Sequence, residues 1–261
     1  MEDFFLNKIK PKSLAIVYEN SPYGTGSALR MMWFCREHDI EIRKIIPYHK
    51  ERAGSAYFQR VIEPLKQDAP DVIYMVSYFK DGAALVKKIR EMKISSLLCG
   101  GAGGFTHPEF ITLVGGVGDT EVLSSQEFIS MAKDAADKLL TATLWFHKSA
   151  YPETGKYYDQ YMKKYSAPPD YHGAEAYSVI MAAADALKRA ESPDPASIRA
   201  ALNATDIKTP FGPVKFSSYD KFERQNNPST MVLQIADGKF ESVWPPELAS
   251  SEFNPPSDWR K

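Results

Sequence analysis

Cysteine and histidine are scarce in this sequence, and their scarcity argues against several kinds of site. The 261 residues include two cysteines and five histidines. Cys35 and Cys99 are too few for a disulfide framework, and the histidines show neither H-x-x-x-H nor H-E-x-x-H spacing. Both cysteines stand in apolar stretches, which predicts buried and unreactive thiols. The sequence therefore favours no metal centre.

Motifs for nucleophilic or phosphate chemistry are also missing. No G-x-S-x-G elbow is present to expose a serine nucleophile. The glycine-rich stretch Gly100–Gly104 reads GGAGG, which is neither G-x-G-x-x-G nor a Walker loop, because no Gly-Lys-Ser/Thr follows it. Without a recognisable nucleophile, base or metal set, the sequence favours a protein that binds without catalysis and without a cofactor.

Net charge and long apolar runs are absent too. The formal net charge is −1, so no global field attracts nucleic acid or an acidic membrane. No apolar run reaches the length of a membrane span, which is about 20 residues. The segment Met1–Lys12 lacks the basic start, apolar stretch and small-residue cleavage site of a signal peptide. Two interpretations stay open here: a cytoplasmic protein, or a chain whose natural N-terminus lies upstream.

What the sequence does contain, near its start, is a strand, a tight loop and a helix. Leu14–Tyr18 is a short run of β-forming apolar residues, and helical spacing begins after Gly26. Between them, Ser21 is predicted to cap the helix and Pro22 to occupy its first turn, where a missing N–H costs nothing. This arrangement opens a βαβ unit.

The alternation of strands and helices continues through the first half of the chain. Further strands are predicted at Ile40–Tyr48, Pro70–Asp81, Ser95–Thr106 and Val122–Phe128, and helices at Tyr57–Lys66, Gly82–Met92 and Pro108–Val114. Pro64 predicts a kink or an early end to its helix. The pattern predicts an α/β fold with a parallel, doubly wound sheet.

The second half of the sequence is rich in helices and poor in strands. Helices are predicted at Lys133–Ser149, Gly155–Tyr165, Ala174–Ala190 and Pro195–Asn203. A short strand is predicted at Val214–Phe216 and a hairpin at Val232–Trp244 that turns on Asp237–Gly238. The tail, Pro245–Lys261, is expected to be loosely ordered.

The helices of the second half need a sheet that this half does not supply. Their apolar residues include Leu139, Leu140, Trp145, Val179 and Ile180. We therefore expect these faces to stay open or to be covered by another chain, since large exposed apolar patches favour association.

Three strand ends are expected to meet at one edge of the sheet. Tyr23 follows the first strand, Tyr78 and Phe79 follow the third, and Gly100–Gly104 follows the fourth. Aromatic rings beside exposed backbone N–H groups make a pocket for a small molecule. The plainer interpretation is that the glycines permit a turn and the tyrosines pack. The rival functional interpretation is a cytoplasmic α/β enzyme or ligand sensor that uses loop 100–104 for a phosphorylated ligand.

Six segments resemble, in their order along the chain, the solute-binding proteins of branched-chain amino acid ABC transporters, which are type I periplasmic binding proteins. The segments are AIVYENSPYGTG, DVIYMVSYFKDGAALVKKIREM, CGGAGG, YHGAEAYS, TPFGPVKF and QIADGKFESVWP. The resemblance runs from about Pro11 to Pro246. It implies two α/β lobes joined by hinge strands, with the ligand between them.

The resemblance also implies a division of the chain. It gives the end of an N-terminal helix at 1–10, lobe two at 11–127, the C-terminal part of lobe one at 128–229, a hairpin near the hinge at 230–247 and a tail at 248–261. The family's first segment, with the first strands of lobe one and its Ser/Thr ligand loops, has no counterpart in this sequence. The resemblance therefore implies one complete lobe, one incomplete lobe and weak binding by this chain alone.

Site residues follow from the resemblance one at a time. Tyr23, with Gly24 beside it, matches an aromatic residue that faces the ligand. Tyr78, with Phe79 beside it, matches the aromatic residue that closes over an amino-acid ligand.

Two further positions matched by the resemblance do not decide the identity of the ligand. Ala102, between Gly101 and Gly103, stands where amino-acid binders often place a glutamate for the α-ammonium group. Alanine at this position allows a ligand without an ammonium group, such as an aromatic or aliphatic carboxylate. Either Tyr171 or His172 matches a lobe-one aromatic residue near the ligand, and packing at the start of a helix explains both equally well.

The function implied by the resemblance is that of an extracytoplasmic solute-binding component of an ABC importer. Its ligand would be a branched-chain amino acid or a related small carboxylate, and its location the periplasm. The implied partners are the membrane subunits of the transporter, with no nucleic acid, no metal and no cofactor. Self-association through the incomplete lobe is a further expectation.

Overall fold

The computed structural model describes residues 1–52, 54–101, 104–106, 114, 135–257 and 259. Within them the chain divides into two compact units. The first unit comprises Met1–Thr143 together with Val232–Lys261, and the second unit is Leu144–Met231.

The described residues form eleven strands. They are β1 Ser13–Glu19, β2 Glu41–Tyr48, β3 Val72–Val76, β4 Leu97–Gly101, β5 Leu140–Thr143, β6 Asp206–Thr209, β7 Gly212–Lys215, β8 Ser217–Tyr219, β9 Phe222–Gln225, β10 Met231–Ala236 and β11 Lys239–Trp244. Seven of them make one sheet in the order β11-β10-β5-β4-β3-β1-β2, and the pairs β6–β7 and β8–β9 are separate two-stranded sheets.

The described helices lie between these strands. They are α1 Glu2–Phe4, α2 Pro22–Glu37, α3 Ser55–Gln67, α4 Phe79–Glu91, α5 Pro152–Tyr165, α6 Tyr171–Arg189 and α7 Pro195–Asn203. A π-helical turn, Phe5–Ile9, continues α1, and 3-10 turns cover Lys50–Arg52 and Pro246–Leu248. No helix in the described ranges is long and apolar enough to cross a bilayer.

The sheet of the first unit is parallel across β2, β1, β3, β4 and β5, and antiparallel between β10 and β11. Both of its faces are covered. Alternate residues of β1 show this, because Ala15 and Val17 join the core cluster of α3 and α4, whereas Leu14 and Ile16 join that of α2 and the N-terminal segment. A strand buried on both faces explains why β1 reads as a continuous apolar run. The predicted doubly wound α/β fold is confirmed.

The prediction of a helix at Lys133–Ser149 is wrong over the residues that join the sheet. Leu140–Thr143 forms β5, which pairs with β4, and Leu139 and Leu140 are fully buried. The apolar spacing in this stretch fits a helix as well as a buried strand, and burial against the sheet decides in favour of the strand. The strand predicted at Val122–Phe128 and all but the last residue of the helix predicted at Pro108–Val114 lie outside the described residues.

Three smaller predictions have mixed outcomes. The hairpin at Val232–Trp244 is confirmed, with Asp237 and Gly238 at its turn. Pro64 does not end its helix, since α3 continues to Gln67. Both cysteines are buried as predicted, and burial raises the pKa of the Cys35 thiol to about 11.

The chain's tail is anchored rather than loosely ordered over its described residues. The ring of Phe253 packs edge-on against Phe4, with 5.1 Å between centroids. The Asn254 N–H donates to Gln234 Oε1 over 2.9 Å, and the Gln234 amide donates back to the Asn254 carbonyl over 2.9 Å. A composition rich in proline and serine predicted disorder, but these long-range contacts fix the segment to the first unit.

The second unit has a small core. Its hydrophobic cluster has four buried members, Trp145, Tyr157, Ala174 and Phe211. Two hydrogen bonds converge on the Pro210 carbonyl, from Trp145 Nε1 over 2.9 Å and from Thr154 Oγ1 over 2.7 Å. Trp145 is therefore buried, against the expectation that its face is open.

Candidate functional site

The carboxyl ends of β1, β3 and β4 lie side by side. Tyr18 is paired with Val76, and Val76 with Gly101. The loops that follow these strands therefore leave from a common edge of the sheet, as the sequence predicts. In open α/β sheets ligands bind in the crevice beyond this edge.

The loop after β1 is tight because three of its residues favour an immediate start of the next helix. The Gly24 N–H donates to the Ser21 hydroxyl over 3.3 Å, so Ser21 caps α2 as predicted. Pro22 occupies the first turn of the helix. A Cβ on Gly24 would lie 1.8 Å from the Glu19 carbonyl oxygen, so only glycine fits where the helix begins this close to the strand. Together they place Tyr23 at the start of α2.

Tyr23 and Tyr78 form a ring pair at this edge. Their ring centroids are 5.3 Å apart with 37° between the planes. Tyr78 is the N-cap residue of α4 and is 46% exposed. Lys50, in the turn after β2, places its Nζ 5.4 Å from the centroid of the Tyr78 ring. The two rings are neighbours, as their places after β1 and β3 predict; Tyr78 is open to solvent, whereas Tyr23 is partly buried against the core. Their contact with a ligand stays a prediction.

Phe79 has a different environment from Tyr78. It is partly buried and packs against the core cluster beneath α3 and α4. Of the two aromatic residues predicted after the third strand, Tyr78 is the more exposed. Phe79 contributes to the packing that fixes the start of α4.

The last two residues of β4 and the glycine loop after them are closely packed at three positions. A Cβ on Gly100 would lie 2.2 Å from the Phe105 ring, one on Gly101 would lie 2.1 Å from the Tyr74 hydroxyl, and one on Gly104 would lie 2.1 Å from the Ser77 carbonyl. Packing thus accounts for these glycines without a phosphate ligand. It also draws the loop against the backbone that carries Tyr78. Ala102 and Gly103 lie outside the described residues.

A buried acidic group lies at the same edge, and sequence reasoning missed it. Glu19, the last residue of β1, is 2% exposed, and its Oε2 has no hydrogen-bond partner among the described residues. The Tyr48 hydroxyl, at the end of β2, donates to Asp81 Oδ2 over 3.4 Å. Burial raises the pKa of Asp81, and the charge of Glu19 raises it further. A polar residue that ends an otherwise apolar strand was the signal available in the sequence.

Tyr171 and His172 belong to the second unit, where they begin α6. Asp170 caps this helix by accepting from the Gly173 N–H over 3.0 Å. The rings of Tyr171 and His172 are stacked with 3.9 Å between centroids. Tyr171 also packs against the core cluster of the second unit, whereas the His172 side chain is exposed. Both the packing and the ligand interpretations of these residues remain open.

A metal site has no support in the part of the chain that the structure describes. No group of three or more histidine, cysteine, aspartate or glutamate side chains there is placed to hold a metal ion. The edge offers aromatic rings, the buried carboxyl group of Glu19, the half-buried carboxyl group of Asp81 and the nearby Lys50, which are suited to holding a small organic molecule.

Comparison with known proteins identifies the family. The family model described as periplasmic binding protein matches residues 3–239. The chain belongs to the periplasmic binding protein family. The resemblance to its type I, branched-chain amino acid members is confirmed by curated relatives. Leu/Ile/Val-binding protein homolog 7 of Brucella melitensis is 24% identical over 250 residues, which cover 95% of this chain and 58% of the relative.

Other relatives agree on the family and on the fold. The leucine-, isoleucine-, valine-, threonine- and alanine-binding protein of Pseudomonas aeruginosa is 24% identical over 213 residues, covering 82% of this chain and 51% of that protein. A solved structure with the same fold is the branched-chain amino acid transporter substrate-binding protein of Streptococcus pneumoniae in complex with isoleucine. Its TM-score is 0.69 at 20% identity, and the match covers 94% of this chain and 63% of the S. pneumoniae chain. An R. palustris solute-binding protein, solved with benzoate, has a TM-score of 0.69 at 16% identity, and the match covers 98% of this chain and 63% of the R. palustris chain.

This periplasmic binding protein chain spans about three fifths of the length of the Brucella relative and of these two structures. The described part of the first unit contains a mostly parallel sheet whose central strands have helices packed on both faces, whereas the second unit contains only two-stranded sheets among its described residues.

Proposed function

We propose that this chain forms the ligand-holding part of an extracytoplasmic solute-binding protein that serves an ABC importer and carries out no catalysis. Family membership supports the binding role. The observation that carries the site is the Tyr23–Tyr78 ring pair, 5.3 Å between centroids, at the carboxyl edge of the parallel sheet. The membrane subunits of the importer are the proposed partners, and the periplasm is the proposed location.

The proposed ligand is a branched-chain amino acid or a related small carboxylate. Both ligand classes occur among the solved structures with this fold, because one was solved with isoleucine and another with benzoate. Alanine at position 102 removes a carboxylate partner for an ammonium group, and hydrogen bonds to charged groups contribute about 1.5–3 kcal/mol each. Alanine at this position therefore allows a carboxylate without an α-ammonium group as well as an amino acid.

Weak affinity is part of the proposal. A carboxylate that keeps only the contacts of Tyr23, Tyr78 and the neighbouring backbone stays partly in water. Losing two or three hydrogen bonds to a charged group, at about 1.5–3 kcal/mol each, weakens binding by several orders of magnitude. The chain alone should therefore bind its ligand far more weakly than a complete two-lobed protein would.

Calorimetry and NMR titration test the site together. Leucine, isoleucine, benzoate and a neutral analogue, benzyl alcohol, would be titrated into the chain at up to millimolar concentration. We expect benzoate to shift the ring signals of Tyr23 and Tyr78 with weak affinity. Tyr78→Ala should weaken this binding by roughly two- to tenfold, since aromatic contacts contribute about 0.5–1.5 kcal/mol.

The matched control is Tyr219→Ala. Tyr219 is 45% exposed, close to the exposure of Tyr78, but lies in β8 of the second unit. This variant should bind as the unchanged chain does. Submicromolar affinity for any of the four compounds would contradict the weak-binding part of the proposal. Ring signals that no compound shifts would contradict the site itself.

A further inference from the structure

A row of polar side chains crosses the carboxyl edge of the sheet in the first unit. Tyr48 is paired with Glu19 across β2 and β1, and Tyr18 is paired with Val76 across β1 and β3. Ser77 follows Val76 and is therefore level with Glu19. Because neighbouring strands lie about 4.8 Å apart, the side chains of Tyr48, Glu19 and Ser77 stand side by side.

This row points to the face of the sheet that α3 and α4 cover. Alternate residues of a strand share a face, and the residues two positions before Glu19 and Ser77 belong to the core cluster of this face, as does Tyr48. Asp81, in the first turn of α4, completes the group, because the Tyr48 hydroxyl donates to its Oδ2 over 3.4 Å. We call these four residues the acid cluster.

Two oxygen atoms of the acid cluster are buried without a hydrogen-bond partner among the described residues. They are Glu19 Oε2 and Ser77 Oγ, and the two residues are 2% and 0% exposed. A buried carboxylate without a partner is costly, because burial disfavours the charged form. The two oxygens therefore indicate a small occupant that brings positive charge or a hydrogen-bond donor.

A proton fits this position better than a metal ion does. The cluster has only two carboxyl groups, and in the described ranges no set of three carboxylate, histidine or cysteine ligands is placed to hold a metal ion. Burial raises the pKa of Asp81 most, the Tyr48 hydroxyl opposes the rise, and the charge of Glu19 raises it further. Two carboxyl groups that disfavour each other's charge hold one proton between them more readily than either would alone.

The other charged and titratable groups near Asp81 come from three elements. The turn after β2 contributes Lys50, whose charge lowers the pKa of Asp81 against the larger effect of burial, and Glu51, whose charge raises it. Helix α3 contributes Tyr57, whose hydroxyl accepts from the backbone N–H of the residue before Lys50 over 3.0 Å. Lys80, beside Asp81 on α4, is exposed.

Lys50 connects the acid cluster with the Tyr23–Tyr78 ring pair. Its Nζ lies 5.4 Å from the centroid of the Tyr78 ring, and its charge also acts on Asp81. A carboxylate bound on the Tyr78 ring would pair with the same ammonium group and would add a negative charge near the cluster. Both changes favour a proton on the two acids.

We propose that Glu19 and Asp81 together take up one proton from solvent when a small carboxylate binds at the ring pair. The inference rests on the proposed function and adds its regulation. Because linkage between two binding events is reciprocal, affinity for a carboxylate should rise as pH falls. Affinity for a neutral ligand of the same shape should not depend on pH, since such a ligand neither pairs with Lys50 nor adds charge.

A first experiment tests the shared proton in the chain without ligand. Carboxyl-carbon NMR would follow Asp81 through a pH titration. We expect Glu19→Gln to lower the midpoint of Asp81, because the like charge is gone, whereas the control Glu37→Gln on the exposed side of α2 should leave it unchanged. In Asp81→Asn, the Glu19 signal should lose its response to the titration of residue 81.

Two results of this titration would overturn the proposal. One is an Asp81 midpoint that Glu19→Gln leaves unchanged. The other is an Asp81 signal that millimolar calcium or magnesium displaces, because a metal ion would then be the occupant.

A second experiment measures the coupling. Benzoate and its neutral analogue, benzyl alcohol, would be titrated into the chain from about pH 5 to pH 8, where a carboxylate ligand stays ionised. We expect benzoate to bind roughly threefold or more tightly at the acidic end, and benzyl alcohol to bind equally throughout. Glu19→Gln and Asp81→Asn should each remove the pH dependence, and Lys50→Gln should reduce it.

Calorimetry of benzoate binding in two buffers with different ionisation enthalpies gives the number of protons taken up. An affinity for benzoate that stays constant over the pH range, with no proton uptake, would overturn the coupling and leave the proposed function intact. If no compound binds at any pH, the proposed site fails and the coupling fails with it, even where the free chain shows the shared proton.

Discussion

The two units of this chain bury apolar surface in different ways. In the first unit β1, β3 and β4 are buried on both faces. Helices α2, α3 and α4 contribute Phe34, Phe58 and Leu85 to its core, although Trp33 of α2 is 61% exposed. In the second unit the cluster of buried rings is small, hydrogen bonds to the Pro210 carbonyl supplement it, and Ile180 and Leu187 face solvent. Large apolar side chains thus make up an extensive core in the first unit, whereas the second unit has a smaller core and several large apolar side chains of α6 that face solvent.

The largest expected difference between the units is in the loss of unfolding free energy caused by one substitution, made in the core of the first unit and on the exposed face of the second. Phe58 is 1% exposed and packs edge-on against Tyr48, with 5.3 Å between centroids. Phe58→Ala should lower the free energy of unfolding by about 3–5 kcal/mol because it leaves a cavity. Val179→Ala on the open surface should change it by less than about 0.5 kcal/mol. Urea unfolding measures both, and similar losses would contradict the contrast.

The close packing at the end of β4 can be tested by adding one methyl group. Gly101→Ala should cost about 1–3 kcal/mol, because its Cβ would lie 2.1 Å from the Tyr74 hydroxyl. Adding Tyr74→Phe removes that oxygen and should recover part of the loss. The control is Gly26→Ala in α2, where a Cβ meets nothing within 4 Å, so it should stabilise the chain by about 0.5–1 kcal/mol. Equal effects at Gly101 and Gly26 in thermal unfolding would refute the packing account.

In the second unit, the loss of one buried hydrogen bond should lower the stability more than the loss of an exposed apolar side chain does. Trp145→Phe removes the donor to the Pro210 carbonyl and part of a buried ring. We expect it to cost the unit about 1–3 kcal/mol, although Thr154 Oγ1 still donates to the same carbonyl. Exchange rates of the α5 and α6 amides would report the loss, and rates unchanged from those of the parent chain would argue against it.

The smallest predicted effect concerns Asp81 and pH. Burial raises the pKa of Asp81 in the folded chain, so the folded chain binds this proton more tightly than the unfolded chain does. Its contribution to stability is therefore present below the unfolded pKa and is lost as pH rises through the raised folded pKa. Asp81→Asn should be slightly more stable than the parent at pH 7 and should lose that advantage near pH 3. The opposite order of thermal midpoints would contradict the sign.

Much of the first unit could be predicted from sequence because local and tertiary preferences agree there. The Ser21 cap, Pro22 and the apolar run of β1 each indicate the same strand, loop and helix that form. The order of β1, β3 and β4 in a parallel sheet then brings Tyr23 and Tyr78 together.

Other features depend on distant contacts that no local pattern reveals. Leu140–Thr143 forms a strand because β4 lies beside it, although its own spacing fits a helix. The tail is held by Phe4 and Gln234, which stand far away in sequence. The burial of Glu19 likewise requires the ends of β1 and β2 to be together. The exposure of α6 was partly predictable, since Val179 and Ile180 are apolar residues in a part of the sequence where helices are many and strands are few.

Native-state hydrogen exchange of the whole chain tests the contrast between the two units most directly. Amides of β1, β3 and β4 should exchange slowest, with opening free energies near that of global unfolding, because their strands are buried on both faces. Amides of α5 and α6 should exchange at least tenfold faster, since one side of each helix lacks a packed neighbour. Equal protection of α6 and β1 would contradict the account, because it would show that the exposed apolar face of α6 does not lower the stability of the second unit.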